Sequence, residues 1–369
     1  MKIFQILEFN QFNTGSVHQM FQASTGLRDR GHEVTIISRP DPVLEQKAAA
    51  EGIPFHGMAF RNQFDVATFR RLRQLVRAER PDVIHVHKGL SHALALAATW
   101  RRPVGAFIVN RGVSFPLDVW NRLKYRTARV DRVVTVCRQI KDVIVASGRL
   151  PPDKVQVVYA GTDVSLFDPA RWDARAFRRE KGIADDRFVI AQVGVRGWKG
   201  WKELIDSVAD VVPEHARAHL LLIGCRDERE KQMVEDYARA AGAGGHVTPI
   251  EYRTDMPNVF ASCDVVVDAS WAGTGITGTI REAMAMGKPV IATNAGGNDE
   301  LVSSPSVGWI IPMKERSILT GALREVIEDP AHAASIGRAA REHVVKGFSK
   351  ELRIDKLEAL YKSILRSKG

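Results

Sequence analysis

From Thr274 to Glu300 the chain reads TGITGTIREAMAMGKPVIATNAGGNDE: a Gly/Thr-rich loop, a helix start, a short apolar strand and a Gly-Gly-x-x-Glu turn. Free backbone N–H groups at a helix N-terminus, together with its positive dipole end, cradle an anion. The loop therefore asks for a phosphate. Glu282 is expected in the first turn of that helix, where the dipole favours a carboxylate in any protein. Behind a phosphate-sized glycine loop it is also placed to grip a ligand hydroxyl, such as a ribose diol. Glu300, after Gly296 and Gly297, serves equally as a helix carboxylate with no ligand.

Three further segments carry chemistry. In VRGWKGWKEL, Arg196 and Lys199 flank a glycine and a tryptophan just before a helix. Two cations in such a turn suit a diphosphate, Arg by fork geometry and Lys as a compact charge, against the plainer reading of a solvated basic turn. In DVIHVHKGLSH, alternation puts His85 and His87 on one face, with His87 at the strand's tip before Lys88 and Gly89. A core imidazole is the alternative there, above all for His85. In FNTGSVHQM, Gly15 and Ser16 form a small-residue turn that opens a helix, which a tight turn alone also explains.

Several chemistries lack support. No GxxxxGK[ST] is present, and the single-glycine first turn does not match GxGxxG, so neither nucleotide hydrolysis nor a dinucleotide cofactor is expected. With no DxD and no His/Asp/Glu cluster at ligand spacing, no metal is expected. A diphosphate leaving group would then be neutralised by Arg196, Lys199 and helix dipoles.

The elements that must position these residues follow from the pattern of the chain. Short β-branched runs predict strands near 2–8, 33–38, 53–59, 82–87, 105–110, 132–137 and 155–160, then near 188–194, 219–224, 246–252, 265–269, 289–293 and 308–311. Helix-length segments separate most of them, as parallel sheets with crossover helices require. In such sheets ligands bind beyond the carboxyl ends of the strands, where all four segments stand. The charged stretch 167–187 is the linker candidate, and 350–366 predicts a closing amphipathic helix. The expected division is 1–166, 167–349 and 350–369.

Composition sets outer limits. A chain of 369 residues, 45% hydrophobic and 26% charged, is a globular composition with room for two domains. No apolar run is long enough to span a bilayer, and MKIFQILEFN reads as a first strand rather than a signal peptide. Cys137, Cys225 and Cys263 are odd in number and far apart, which suits reduced thiols and a cytoplasmic setting. The net charge of +10 is uneven: residues 1–168 hold 24 Lys and Arg against 15 Asp and Glu, the remainder 29 against 28. In RRLRQLVRAER and NRLKYRTARVDR, arginines interleave with apolar residues, Trp120 and Tyr125. These stretches are either an interfacial surface for an anionic, lipid-linked acceptor or a pair of ordinary solvated helices. No nucleic-acid fold signature accompanies the charge.

Taken in order, the helix before RGHEVTIIS, DVIHVH, VVTVCRQI, VVYAGTDVSLFDP, GVRGWKG, LLIGCRDE, DMPNVFASCDVVVDAS, REAMAMGKPVIATNAGGNDELV and the final helix resemble the GT-B glycosyltransferases of the retaining family-4 type. That resemblance implies an α/β fold of two Rossmann-like, doubly wound parallel-sheet domains facing across a cleft. The donor domain would be the second, the acceptor side the first, and the C-terminal helix would cross back to the first. By position, Gly15 and Ser16 would lie by the donor phosphates, His87 by the donor sugar, and Arg196 and Lys199 on the diphosphate. Thr277, Gly278 and Thr279 would give amides to the distal phosphate, after Thr274 and Gly275. Glu282 would hold the ribose, and Tyr252 and Arg253 would lie by the base. Lys88 and Arg111 would face the acceptor; many relatives have histidine where Arg111 stands. The family also carries a glutamate eight positions before Glu282, where this chain has Thr274.

The function so implied is transfer of a sugar, with retention, from a nucleotide-diphosphate donor to a glycan or lipid-linked acceptor in cell-surface polysaccharide or lipopolysaccharide synthesis. It needs no cofactor, and its setting is cytoplasmic, at or near the inner face of the membrane. Two alternatives share the scaffold: a nucleotide-sugar epimerase, and a non-catalytic subunit that binds sugar nucleotides.

Overall fold

The computed structural model describes residues 1–10, 14–272 and 275–369. Among the described residues, thirteen strands form two all-parallel sheets. The first contains β1 (Lys2–Leu7), β2 (Glu33–Ser38), β3 (Phe55–Gly57), β4 (Val83–Val86), β5 (Ala106–Arg111), β6 (Arg132–Thr135) and β7 (Val155–Val157), in the order β3-β2-β1-β4-β5-β6-β7. The second contains β8 (Phe188–Val193), β9 (Ala218–Cys225), β10 (Val247–Glu251), β11 (Val265–Asp268), β12 (Val290–Thr293) and β13 (Trp309–Ile311), in the order β10-β9-β8-β11-β12-β13. Each expected strand is present. Their legibility comes from burial on both faces, which turns a parallel strand into an unbroken apolar run such as AHLLLIGC.

Both sheets are doubly wound, with strand order reversing between β1 and β4 and between β8 and β11. A crevice opens beyond the carboxyl ends of the strands at such a switch point, which is where open α/β sheets take ligands. Gly15, His87 and Lys88 follow the first pair of strands, and Arg196, Lys199 and the 275–279 loop follow the second.

The chain divides into two compact units, 1–161 with 350–369, and 162–349. The first unit ends at Gly161 rather than at 166. The linker candidate is also built in: helix Ala176–Lys181 packs within the second unit, where Arg178 donates to the Ser262 carbonyl at 2.9 Å and to Asp264 at 2.8 Å. Its charge pattern signalled ion pairs, not a free tether.

The closing helix, Lys350–Lys368, belongs to the first unit. Ile354, Leu357, Leu360, Tyr361 and Ile364 enter a core with Ala23 and Leu27 of helix Gly15–Asp29 and with Ile3, Val83 and Ile108 of the sheet. Each such side chain contributes about 1.5–3 kcal/mol on burial. Arg30 pairs with Asp355 at 2.5 Å and Lys368 with Asp131 at 2.7 Å at the helix margins. In the second unit, one core joins β8, β9, β11 and β12 to helices Trp201–Val211 and Arg316–Glu328. Among the described residues no helix is long and apolar enough to cross a membrane.

Candidate active site

The turn after β8 is held in place by its backbone. Gly194 (φ 99°) and Gly200 (φ 66°) bracket a single 3-10 turn, Gly197–Lys199. A Cβ on Gly200 would lie 1.9 Å from the Ala269 carbonyl oxygen, so only glycine lets this turn sit against the end of β11. Gln192, buried near the end of β8, ties the two together: its amide donates to the Lys199 carbonyl at 3.1 Å, and its oxygen accepts from the Ala269 N–H at 3.0 Å. The Trp271 N–H adds a bond to the Trp198 carbonyl at 3.0 Å. Lys199 is therefore carried on a braced frame.

Asp268, the last residue of β11, is the hub of this frame. Its side chain is 2% exposed, yet four donors converge on two oxygens. Lys199 Nζ (3.3 Å) and Ser270 Oγ (2.5 Å) donate to Oδ1. Thr277 Oγ1 (2.6 Å) and Asn298 Nδ2 (3.3 Å) donate to Oδ2. Burial opposes the charge, but the Lys199 ammonium and the hydrogen bonds from Ser270 and Thr277 hold the carboxyl below its ordinary range. Asn298 closes the ring by accepting from the Thr277 N–H at 2.9 Å and donating to the Thr293 carbonyl at 3.1 Å. One carboxylate thus fixes a cation on the β8 turn and a threonine on the loop after β11.

The helix beyond that loop is Gly278–Ala285, with Thr277 as its cap. Its first turn holds no acid, so Glu282 lies one turn further along than the sequence suggests, and the dipole argument does not account for it. What sets Glu282 apart is its surroundings. It is half-buried, and no hydrogen bond or ion pair reaches its carboxylate among the described residues. Burial pushes this carboxyl up to about 7, with the neighbouring Arg281 charge only partly opposing the rise. An ideal Cβ on Gly278 would sit 3.9 Å from Glu282 Oε1, so the loop glycine and the carboxylate are adjacent.

The expected amide cradle is smaller than the sequence implies. The Thr277 N–H is already spent on Asn298, because its side chain and backbone both anchor the loop. Gly278 and Thr279 remain, and no acceptor caps their N–H groups among the described residues. Gly275 precedes them in the same half-buried loop, and Thr274 lies outside the described residues.

The remaining candidates divide sharply. Arg196 is exposed; its carbonyl accepts from the Lys199 N–H at 2.9 Å, and its side chain makes no hydrogen bond among the described residues, which leaves the guanidinium able to meet a ligand. Tyr252 is exposed. Arg253 is committed elsewhere: it bridges Glu180 (2.8 Å) and Asp255 (2.7 Å) and stacks over Phe177. In the first unit, His87 is 3% exposed, hydrogen-bonded through Nε2 to Gln5 Oε1 at 2.6 Å and stacked 4.4 Å from His85. Burial, aided by the Arg353 charge, lowers the His87 imidazole to about 3 and keeps it neutral. His85 bonds Tyr361 of the closing helix at 2.6 Å. Lys88 lies 3.6 Å over the Phe9 ring, and Arg111 donates to the carbonyls of Val113 and Phe115 in its own loop. Glu8, which the sequence did not single out, accepts from the N–H groups of Leu90 and Ser91 at 3.1 and 3.0 Å. Gly15 is exposed, with open space where a Cβ would go, and Ser16 follows it half-buried.

Asp268, Asn298 and Gln192 are the site residues missed in the sequence. Asp268 did leave a signal, an acid closing an otherwise apolar strand, VVVD. Among the described residues no cluster of His, Cys, Asp and Glu is arranged to hold a metal ion. Among the described residues the second unit holds one fixed cation (Lys199), one free cation (Arg196), two open amides, and beside those amides an unpaired carboxylate. That set matches a phosphate ester bearing a hydroxylated group.

Two family models match the chain, Glycosyltransferase Family 4 over residues 14–166 and Glycosyl transferases group 1 over residues 173–343. The chain belongs to the family-4-type glycosyltransferases of GT-B fold. Among its relatives, D-inositol 3-phosphate glycosyltransferase of Stackebrandtia nassauensis is 28% identical, over 89% of this glycosyltransferase and 82% of the relative. UDP-Gal:alpha-D-GlcNAc-diphosphoundecaprenol alpha-1,3-galactosyltransferase of Escherichia coli is 23% identical, over 80% of this chain and 79% of that enzyme. The fold is also that of Anabaena HepE, solved in complex with UDP: TM-score 0.85, 20% identity, 98% of this chain and 100% of that one.

Proposed function

We propose that this glycosyltransferase moves a sugar from a nucleotide-diphosphate donor held on its second unit to a glycan or lipid-linked acceptor taken by the first. The observation that carries the reading is Glu282: a half-buried carboxylate, unpaired among the described residues, beside the open amides of its own helix. A carboxylate partly withdrawn from water, with no partner among the described residues, is poised to accept hydroxyl hydrogen bonds, and a ribose diol supplies two. Arg196, Lys199 and the Gly278 and Thr279 amides would receive the diphosphate and stabilise the charge that grows as the glycosidic bond breaks.

The acceptor hydroxyl would attack from the face that the diphosphate leaves, and a donor phosphate oxygen would take its proton. That course needs no strong general base from a side chain. His87, neutral and tied to Gln5, would act by shape and hydrogen bonding near the donor sugar, not by proton transfer. HepE bound to UDP, and the UDP-Gal donor and diphosphoundecaprenol-linked acceptor in the name of the Escherichia coli relative, support a nucleotide-sugar donor and a lipid-linked acceptor.

The test is a panel of UDP-, GDP- and ADP-sugars read as nucleotide release, with and without an acceptor extract. One donor should be turned over faster when acceptor is present. Tight nucleotide binding with no release from any donor would favour the non-catalytic alternative.

A further inference from the structure

Two basic stretches in the first unit carry the same sequence pattern, and the structure separates them. Helix Val66–Glu79 turns Thr68, Leu72 and Val76 inward and its arginines outward, as a surface helix does. Helix Val119–Arg126 does the reverse. Tyr125 is its one buried residue, while Val119, Trp120 and Leu123 are 64%, 79% and 60% exposed. Phe115, in the loop leading to it, is 64% exposed. Positions 119, 120 and 123 share one helical face, so a band of apolar side chains faces solvent.

Cations interleave with that band. Arg126 is exposed, and Arg122 is half-buried. The unit that bears them holds 30 Lys and Arg against 16 Asp and Glu, whereas the second unit holds 23 against 27. The position is also specific. This helix follows the loop at the carboxyl end of β5, and its Lys124 reaches the Gly89 carbonyl at 3.4 Å, beside the start of the helix after β4. It therefore borders the ligand-taking edge of the first sheet.

We infer that helix Val119–Arg126 and Phe115 seat the first unit on an anionic lipid bilayer. Trp120, Leu123, Val119 and Phe115 enter the headgroup–acyl boundary, and Arg122 and Arg126 meet the lipid phosphates. A tryptophan at such a boundary has its ring in apolar surroundings and its N–H in water, and basic residues beside it add attraction that salt weakens. Docking here presents the carboxyl edge of the first sheet to the lipid surface. The inference does not rest on the sugar-transfer reading: vesicle binding without turnover would leave it standing and count against that reading alone.

The experiment uses the full chain with sedimenting vesicles of phosphatidylcholine mixed with phosphatidylglycerol, and vesicles of phosphatidylcholine alone. The chain should bind the anionic vesicles and lose binding as salt rises. The double variant Trp120→Ser/Leu123→Ser should bind roughly tenfold less, and Arg122→Glu/Arg126→Glu should bind less with a flatter salt dependence. Trp120, Leu123 and Arg126 are exposed, whereas Arg122 is half-buried with its Nε out of solvent, so an unchanged melting temperature is required to show that each variant folds. Equal binding to both vesicle types, no binding, or undiminished binding by the Trp120/Leu123 variant overturns the inference. So does a dimer in solution that this variant converts to monomer, because the face would then belong to a second copy of the chain.

Discussion

Replacing Glu282 by Gln should remove a pH dependence that the wild-type protein carries. The carboxyl sits at about 7 instead of its ordinary 4.5. If the ribose hydroxyls donate to the ionised form, donor binding must first remove the proton. With a titration at 7, about one carboxylate in eleven is ionised at pH 6 and about ten in eleven at pH 8, a tenfold gain in affinity, or about 1.4 kcal/mol. Calorimetric titration with a nucleotide sugar at pH 6, 7 and 8 measures it, because the diester phosphates of such a donor stay ionised throughout. Near pH 7, binding should also release about half a proton, visible in buffers of different ionisation enthalpy. Glu282→Gln should bind more weakly and with a flat profile. Affinity that is level or falls with pH in the wild type, or an equal slope in the variant, would refute the argument. Stability moves the other way. Between 4.5 and 7 the folded state holds more protons than the unfolded one, so this group's effect on stability turns unfavourable as pH rises across that window. Above 7 the cost is on the order of 1–3 kcal/mol for a half-buried group, so Glu282→Gln should melt at a higher temperature than wild type at pH 8.

The frame around Asp268 gives the remaining predictions. Asp268→Asn turns an amide NH2 toward at least one of four donors, so it should cost about 2–4 kcal/mol in denaturant unfolding. The wild-type carboxyl is held below its ordinary range, so its contribution is present above that range and lost as pH falls; the variant should lack that acid limb. Lys199→Ala should abolish donor turnover and, by stranding a buried carboxylate, lower stability by about 3–5 kcal/mol; unchanged rates would remove Lys199 from the diphosphate. Gly200→Ala meets the Ala269 carbonyl and should cost about 2–4 kcal/mol, with donor affinity reduced in the folded fraction.

The sheets were readable because burial writes itself along the chain. A parallel strand covered on both faces has to be apolar at every position, so LLLI and VVV announce strands, and the residues just beyond them mark the ligand edge. His85 and His87 were placed on one face by alternation alone, and they stack. What joins distant segments was not readable. Gln192 meets Ala269, and Asp268 meets both Lys199 and Asn298, across gaps of 77, 69 and 30 residues. No local period encodes such pairs. The helix start was hidden for a related reason: Thr277 becomes the cap because Asp268 and Asn298 hold it, which moves Glu282 into the second turn. The two arginine-rich stretches looked alike because composition does not say which face of a helix meets the core. Leu72 and Val76 turn inward, while Trp120 and Leu123 do not.

The proposed transfer of a sugar, with retention, from a nucleotide donor is tested most directly by the anomeric proton of the product. Proton NMR of a reaction with an α-linked nucleotide sugar and its acceptor should show the donor signal lost and an α-glycoside of equal amount gained. A β-glycoside, or a donor signal that persists while the nucleotide is bound, would contradict the account.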